Sequence, residues 1–358
     1  MIKHNNGWNT VEQPKDTNIP AINANGLLAE AEKLKSEAEI AQEKKGMFIV
    51  KSANDWQNEA KKESIPNSLV DCLWGEGEIC ILFADSGLGK SILSIQIADS
   101  ISAGIPIPGF KKTSKAQKVV CFDLELTKKQ FEKRYSQDYT NHYIFSPDFY
   151  RVEINPDAFP PEGMSFQEYL NASLEQVIRE TGAKVVIVDN LTYLRDDTER
   201  AKDALPLMKQ LKQLKSRYGL SILALAHTPK RDNTRPISSN DLAGSRNLYN
   251  FTDSCFAIGS SEKDSTIRYI KQLKPRSTEL MYGADNVIVC QIIKPDNFLK
   301  FEFICYGHEA EHLKQLTDED RQERQQEAID LHSKGVPNRE IARQMGVSEG
   351  AVRKWLKK

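Results

Sequence analysis

The sequence predicts an α/β fold, a mostly parallel sheet flanked by helices, with a small all-α unit appended at the C-terminus. Three observations predict it. From Ile65 to about Tyr306, apolar strand-like runs alternate with amphipathic helical stretches. One of these strands, Ile79 to Phe83, passes through a glycine-bearing loop into a helical run from Ile92 to Ile101. Beyond Gln326 the pattern becomes three short helices in a locally basic stretch.

Taken in order, residues 1–25 are polar and Asn-rich, with Pro14 and Pro20 and no periodicity. Gly26 to Lys45 is rich in Ala, Glu, Lys and Leu and reads as a helix with a modest stripe of Leu27, Leu28, Ala31, Leu34 and Ala38. It either lies on its own domain or serves as an arm for a neighbouring subunit. Strands are expected at Ile79–Phe83, Lys118–Asp123, Lys184–Asp189, Ser221–Ala226, Ser254–Ile258, Thr266–Lys274, Asn286–Ile293 and Phe298–Ile304. Helices are expected at Lys90–Ser102, Thr127–Gln137, Ser165–Thr181 and Ala201–Tyr218. The last strands lack intervening helices, which predicts an antiparallel sheet edge. The expected organisation is an N-terminal arm over 1–45, an α/β domain over 46–306, a charged linker over 307–326 and a tri-helical domain over 327–358.

Composition narrows the class. A chain of 358 residues holds one large domain and a small one, and 39% hydrophobic with 28% charged residues suits a globular protein. No apolar run approaches the length of a membrane span, and the N-terminus has no signal-peptide core. Six cysteines without Cys-x-x-Cys spacing read as buried thiols of a cytoplasmic protein rather than zinc ligands. Net charge is −1, so overall charge carries no nucleic-acid signal. The tail does, with Lys334, Arg339, Arg343, Arg353, Lys354, Lys357 and Lys358 facing only Glu340 and Glu349 from His332 onward.

Ala84-Asp85-Ser86-Gly87-Leu88-Gly89-Lys90-Ser91 matches the phosphate-binding loop Gly-x-x-x-x-Gly-Lys-Ser/Thr except at Ala84. Alanine there requires only that the first position avoid positive φ. The loop amides and the following helix N-terminus would surround a phosphate. Lys90 would neutralise the β/γ charge of ATP, and the Ser91 hydroxyl would sit on Mg²⁺. Lys184 to Asp189 is a continuous apolar strand ending in an acid, as a doubly buried parallel strand beside a ligand requires. Asp189 would hold Mg²⁺ through water or within the shell of Ser91. A second strand ends Asp123-Leu124-Glu125. Glu125 either polarises the attacking water or merely favours the dipole of the helix starting near Thr127, and composition does not separate the two.

This order of motifs resembles the RecA-like P-loop ATPases over roughly residues 46–306. More narrowly it is similar to the hexameric replicative-helicase branch, with DnaB-type and plasmid RepA-type members, and to AAA-type relatives on mobile elements. The resemblance implies that Glu125 is the catalytic base and that His227, ending Ser221–Thr228, senses the γ-phosphate. It implies that Pro229 to Asn240, with Lys230, Arg231 and Arg235, is a mobile loop on single-stranded DNA in a central channel, extended by Ser245 and Arg246. Lys274 and Arg276 have the spacing of a pair that reaches a neighbour's site, although Ser277-Thr278-Glu279 follows where DnaB-type helicases often carry Gly-Pro. The assembly so implied is a homo-oligomer, a hexameric ring.

The tail resembles resolvase-like and transposase-like helix-turn-helix modules over about 30 residues. Ala342, Gly346, Val347, Val352 and Trp355 supply its small and apolar positions, with Ile341 and Met345 behind them. Ser348, Arg353, Lys354 and Lys357 would then lie on or beside a recognition helix contacting duplex DNA. A three-helix protein-interaction module is the alternative. The resemblances together imply an ATP-hydrolysing, DNA-acting replication protein with helicase action, from a plasmid or mobile element. An ATP-switched DNA-binding regulator or recruitment factor, which unwinds nothing, is the competing expectation.

Overall fold

The computed structural model describes residues 48–110, 114–191, 205–228, 231–242, 246–315, 317–345 and 347–357, without side-chain detail at 205, 246 and 247. The N-terminal helix expected over 26–45 lies outside them. The chain divides into two units, residues 1–65 and 66–358. In the first, helix α1 (Ala53–Ala60) starts at Ser52, whose hydroxyl accepts from the Asp55 amide. Lys51 Nζ sits 2.6 Å from Glu59 and 4.6 Å above the Trp56 ring.

The second unit is built on a nine-stranded sheet. Its strands are β3 (Ile79–Ala84), β4 (Val119–Asp123), β7 (Phe149–Val152), β8 (Val185–Asp189), β9 (Ser221–His227), β10 (Ser254–Ser260), β11 (Ile267–Lys274), β12 (Val287–Ile293) and β13 (Lys300–Gly307). Two small pairs accompany it, β1 (Ser68–Val70) with β2 (Trp74–Gly75) and β5 (Ser136–Gln137) with β6 (Asn141–His142). The order is β13-β12-β11-β10-β3-β9-β8-β4-β7. From β10 to β7 every pairing is parallel, and β11 to β13 form the expected antiparallel edge.

The period of two in each strand explains why these runs are continuously apolar. On β3, Cys80, Leu82 and Ala84 enter one core while Ile79, Ile81 and Phe83 enter the other. β4, β8 and β9 divide in the same way. Helix α2 (Lys90–Ala103) covers the first face through Leu93, Ile97 and Ile101. Helices α4 (Phe166–Thr181) and α5 (Leu205–Tyr218) cover the second through Leu174, Ile178, Met208 and Leu211. Both faces are therefore dry, as a parallel sheet demands. The Gln96 amide on α2 bonds the Phe301 backbone in both directions, at 3.0 and 2.9 Å, which ties α2 to β13.

Several elements differ from the expected pattern. The helix expected over Thr127–Gln137 is the shorter α3 (Lys128–Arg134), with Thr127 forming a capping box with Gln130. It ends early because Tyr135 leaves helical geometry and Ser136 pairs with His142 in the β5–β6 ladder. Strand β7 and the short helix α6 (Arg246–Phe251) were not expected. The β7 residues are all half-buried at the sheet edge and lack a clean alternation. The loop after β9 is expected to be mobile, yet Ile237 is buried and hydrogen-bonded at both backbone groups. Its amide donates to Glu309 Oε1 at 2.7 Å, and its carbonyl accepts from Lys271 Nζ at 2.7 Å. Lys271 and Glu309 are themselves a buried ion pair at 2.5 Å, so this stretch is bolted to the sheet rather than loose.

At the C-terminus, α7 (Asp318–Ser333), α8 (Asn338–Met345) and α9 (Glu349–Trp355) pack Ala328, Ile341, Ala342 and Val352 into a separate small core. Val347, Met345 and Trp355 close around it. Gly346 lies outside the described residues. Helix α7 runs across the boundary placed at 326/327, so the charged stretch before it is helical from Asp318. The architecture is thus α/β with a mostly parallel sheet, followed by an all-helical unit. Among the described residues, no helix is long and apolar enough to cross a membrane.

Candidate nucleotide site and nucleic-acid surfaces

Four parallel strands, β3, β9, β8 and β4, lie side by side, and the chemistry gathers beyond their C-terminal ends. Ala84 is the last residue of β3 and is buried, and it is absent from the residues with left-handed backbone. The sterically required glycines come later. Gly87 has φ 78° with open space around it, and Gly89 has φ 95° at the start of α2. A Cβ at Gly89 would stand 2.8 Å from Ile292 Cδ1 and 2.9 Å from the Phe301 ring, so both backbone and space demand glycine there. Asp85, Ser86, Gly87 and Leu88 form the exposed or half-exposed arc between. The first amides of α2 have no intrahelical acceptor and form an anion-binding N-terminus.

Lys90 is buried and folds back under this arc. Its Nζ donates to Ala84 O at 2.9 Å and Asp85 O at 3.1 Å, and lies 3.3 Å from His227 Nδ1. Burial lowers its pKa, while Asp189, Glu125 and Asp85 act to raise it. Asp85 accepts a hydrogen bond from the Thr228 hydroxyl, and burial raises its pKa. Asp189 ends β8, buried, and its pKa is pushed up to about 7, first by burial and then by Glu125 and Asp123. The Ser91 hydroxyl beside this carboxylate opposes the shift.

That hydroxyl–carboxylate pair fits Mg²⁺. Both donors are hard oxygens, and this ion characteristically takes one or two protein ligands and completes its shell with water and phosphate oxygens. Bound there, it would neutralise charge on the transferred phosphoryl group.

Glu125 stands just past β4, in a turn shaped by Asp123. Asp123 Oδ1 accepts from the Leu126 amide at 3.0 Å, and Oδ2 accepts from Arg151 Nε at 2.8 Å. Arg151 comes from β7, also donates to Leu126 O at 2.6 Å, and lies 4.6 Å from the Phe131 ring centroid. Glu125 Oε1 accepts from Asn190 Nδ2 and lies 3.6 Å from His227 Nε2. The structure therefore brings Lys90, Ser91, Glu125, Asp189 and His227 together.

Sequence reasoning missed Asn190 and Arg151. Asn190 directly follows the strand-ending acid, and its position at the end of that apolar run was the legible signal. Arg151 sits on a strand the pattern did not reveal.

Lys274 and Arg276 are elsewhere. Lys274 ends β11 opposite Cys255, which itself pairs with Ile81 of β3, so Lys274 sits two strands from β3 and short of its phosphate-loop end. Its Nζ donates to Tyr249 O at 2.7 Å and lies 5.0 Å from the Tyr249 ring centroid. Arg276 donates to Asp253 Oδ1 at 2.7 Å, and Asp253 also accepts from Lys215 and the Ile79 amide.

Of the loop cations, Arg231 donates to Arg235 O at 2.7 Å, and Arg235 lies 3.5 Å from Asp232. Lys230 and Ser245 lie outside the described residues, as does the side chain of Arg246. In the tail, Ser348 caps α9 by accepting from the Ala351 amide, and Arg353 pairs with Glu349 at 2.6 Å. Lys354 and Lys357 are exposed.

A glycine loop between a buried strand and a helix, with an acid ending a parallel strand one position removed, defines a P-loop nucleotide-binding protein. The chain belongs to the AAA domain family, which matches residues 50–233, about half of its length. A homeodomain-like domain matches residues 318–358, the helices α7 to α9. Among curated proteins, none matches the sequence significantly. A P-loop ATPase domain and a DNA-binding type of helix-turn-helix thus share one chain.

Proposed function

We propose that the protein is an ATP-hydrolysing motor acting on DNA, of the RecA-like replicative-helicase type, that serves replication of a plasmid or mobile element. One observation carries this reading: Lys90, Ser91, Asp189, Glu125 and His227 converge beyond the ends of adjacent strands in a chain that also carries a homeodomain-like domain. In this reading ATP lies on the 84–91 loop, Lys90 and Mg²⁺ offset phosphate charge, and Glu125 takes the proton of the attacking water. Ser91 and Asp189 hold the metal. His227, against both Lys90 and Glu125, registers whether the γ-phosphate is present.

Lys274 and Arg276 are held by Tyr249 and Asp253 rather than by their own phosphate loop, so a role for them in hydrolysis is assigned to a neighbouring copy. This is the support for assembly, with a hexameric ring as the form proposed. Arg231 and Arg235 with Lys230 would contact single strands, and Lys354 and Lys357 with Arg353 duplex phosphates or bases. The domains proposed are an arm over 1–45, a motor over 46–306, a connector over 307–326 and a DNA-binding unit over 327–358.

A second reading, an ATP-switched DNA-binding regulator, is favoured by a specific contact: the loop after β9 is bonded to the connector and to α7 instead of standing free. One experiment tests both. ATP turnover is measured without DNA, with single strands and with duplex, beside native mass with ATP and strand displacement on forked substrates. A motor shows DNA-stimulated turnover, a ring mass and displacement. Nucleotide-dependent duplex binding without displacement selects the switch.

A further inference from the structure

We infer that Asn190 is a positioning residue for Glu125: its side-chain amide holds the Glu125 carboxylate by Oε1, beside His227. This rests on reading Glu125 as the base. Asn190 is buried, directly after Asp189 on β8, between the strand ends that carry Glu125 and His227. Its Nδ2 donates to Glu125 Oε1 and lies 3.0 Å from His227 Nε2.

Hydrogen-bond accounting fixes the roles. Lys90 Nζ has only donors to offer, so His227 Nδ1, 3.3 Å away, accepts. A neutral imidazole accepting at Nδ1 carries its proton on Nε2. That N–H cannot accept from Asn190, so the 3.0 Å approach sets two N–H groups side by side, both facing the Glu125 carboxylate. Glu125 Oε1 lies 3.6 Å from Nε2, a charge contact longer than a hydrogen bond.

The Asn190 hydrogen bond, with the His227 ring against the same oxygen, restrains the side chain of a glutamate that would otherwise sample several rotamers. General-base catalysis demands this restraint, because a base displaced by about 1 Å loses much of its effect. Asn190 touches no reacting atom and acts only through Glu125. The chain of contacts Lys90–His227–Glu125, with Asn190 as its clamp, also ties base geometry to the lysine that meets the phosphates.

The test is a double-mutant cycle on the full chain. Asn190→Asp, close to isosteric but without donors, and Asn190→Ala are each made alone and with Glu125→Gln. Steady-state kcat and KM for ATP are measured beside affinity for a fluorescent non-hydrolysable ATP analogue. Alone, Asn190→Asp lowers kcat about 10- to 100-fold with KM and analogue affinity changed less than about threefold. In the Glu125→Gln background the same change alters residual turnover less than about twofold, because the residue it positions is already disabled.

Wild-type kcat in Asn190→Asp, or an equal multiplicative loss in both backgrounds, overturns the assignment. If Asn190→Ala loses analogue binding through misfolding, the isosteric variant still decides. Wild-type turnover in Glu125→Gln would instead overturn the base reading itself. A dead Glu125→Gln beside a fully active Asn190→Asp would remove only the role of Asn190.

Discussion

Arg324 Nη2 lies 2.8 Å from Asp232 Oδ2, so the first helix of the C-terminal module is bonded to the loop that leaves β9. The Lys314 amide adds a bond of 3.0 Å to Asn233 O in the same loop. At its other end the loop begins at Thr228, whose hydroxyl bonds Asp85 of the phosphate arc. The loop is therefore a path tied at one end to the nucleotide arc and at the other to α7, with residues 229–230 outside the described ones.

Arg324→Ala cuts this path at a partly exposed ion pair, a class of contact contributing about 1 kcal/mol or less. The expected outcome is basal ATP turnover within about twofold of wild type, with the ratio of duplex-stimulated to basal turnover changed several-fold. Phosphate release with and without duplex measures it. An unchanged ratio would show that the contact carries no signal.

Lys90→Ala and Glu125→Gln separate binding from chemistry. Removing Lys90 deletes the cation beneath the phosphate arc and is expected to abolish turnover and weaken nucleotide affinity at least about tenfold. Glu125→Gln keeps affinity near wild type and lowers kcat about 10²- to 10⁴-fold. Titration with a fluorescent ATP analogue beside phosphate release distinguishes the two.

Gly89→Ala is expected to be far costlier than Gly87→Ala. Both need positive φ, at about 1 kcal/mol or more, but only Gly89 also meets Ile292 and Phe301. Denaturant titration should show about 2 kcal/mol or more lost at Gly89 and about 1 kcal/mol at Gly87. Ile292→Ala should recover part of the first loss and none of the second.

Asp253 sets an acid limit. Burial alone would raise its pKa, but the Ile79 amide, Lys215 and Arg276 outweigh burial and hold it below the usual carboxylate value. A depressed folded pKa means the stabilisation is present above the unfolded value near 3.8 and is lost as pH falls through the folded value. Asp253→Asn should therefore cost about 1.5–3 kcal/mol at pH 7 by urea titration, and the gap to wild type should close below about pH 4.

Lys354→Ala with Lys357→Ala leaves the small helical core untouched, since both side chains are exposed. Duplex affinity is expected to fall about tenfold or more at low salt. If both contact phosphates, the slope of log affinity against log salt decreases by about 2. Anisotropy across a salt series gives both numbers, and an unchanged slope would place duplex contacts elsewhere.

The phosphate loop and the strand-ending acids were legible because the ligand chemistry constrains both residue type and local geometry. Asp189 and Lys90 had to follow strands of continuous apolar residues, and such runs are visible in one dimension. The antiparallel edge was legible for a negative reason, the lack of helices between strands. What stayed hidden depends on tertiary partners. Strand β7 is a four-residue edge whose Arg151 is explained only by Asp123 on its neighbour. Ile237 looked like one apolar residue in a polar loop until Lys271 and Glu309 supplied partners for its backbone. Arg353 and Ser348 looked like pure DNA contacts, yet each also serves helix α9, one through Glu349 and the other as its cap.

The bond between Gln96 and the Phe301 backbone, with Gly89 pressed on Ile292 and Phe301, bears on how this nucleotide site can be transplanted. The matched AAA region closes at residue 233, but β10, the other partner of β3, starts at Ser254. A polypeptide stopped at 233 would bare the β3 edge to water and remove β13, to which Gln96 ties α2. Such an unpaired, apolar edge recruits other chains into aggregates. Grafts or recombinations that keep the nucleotide pocket intact must therefore exchange at residues after β13, so the sequence-recognisable segment is smaller than the heritable folding unit.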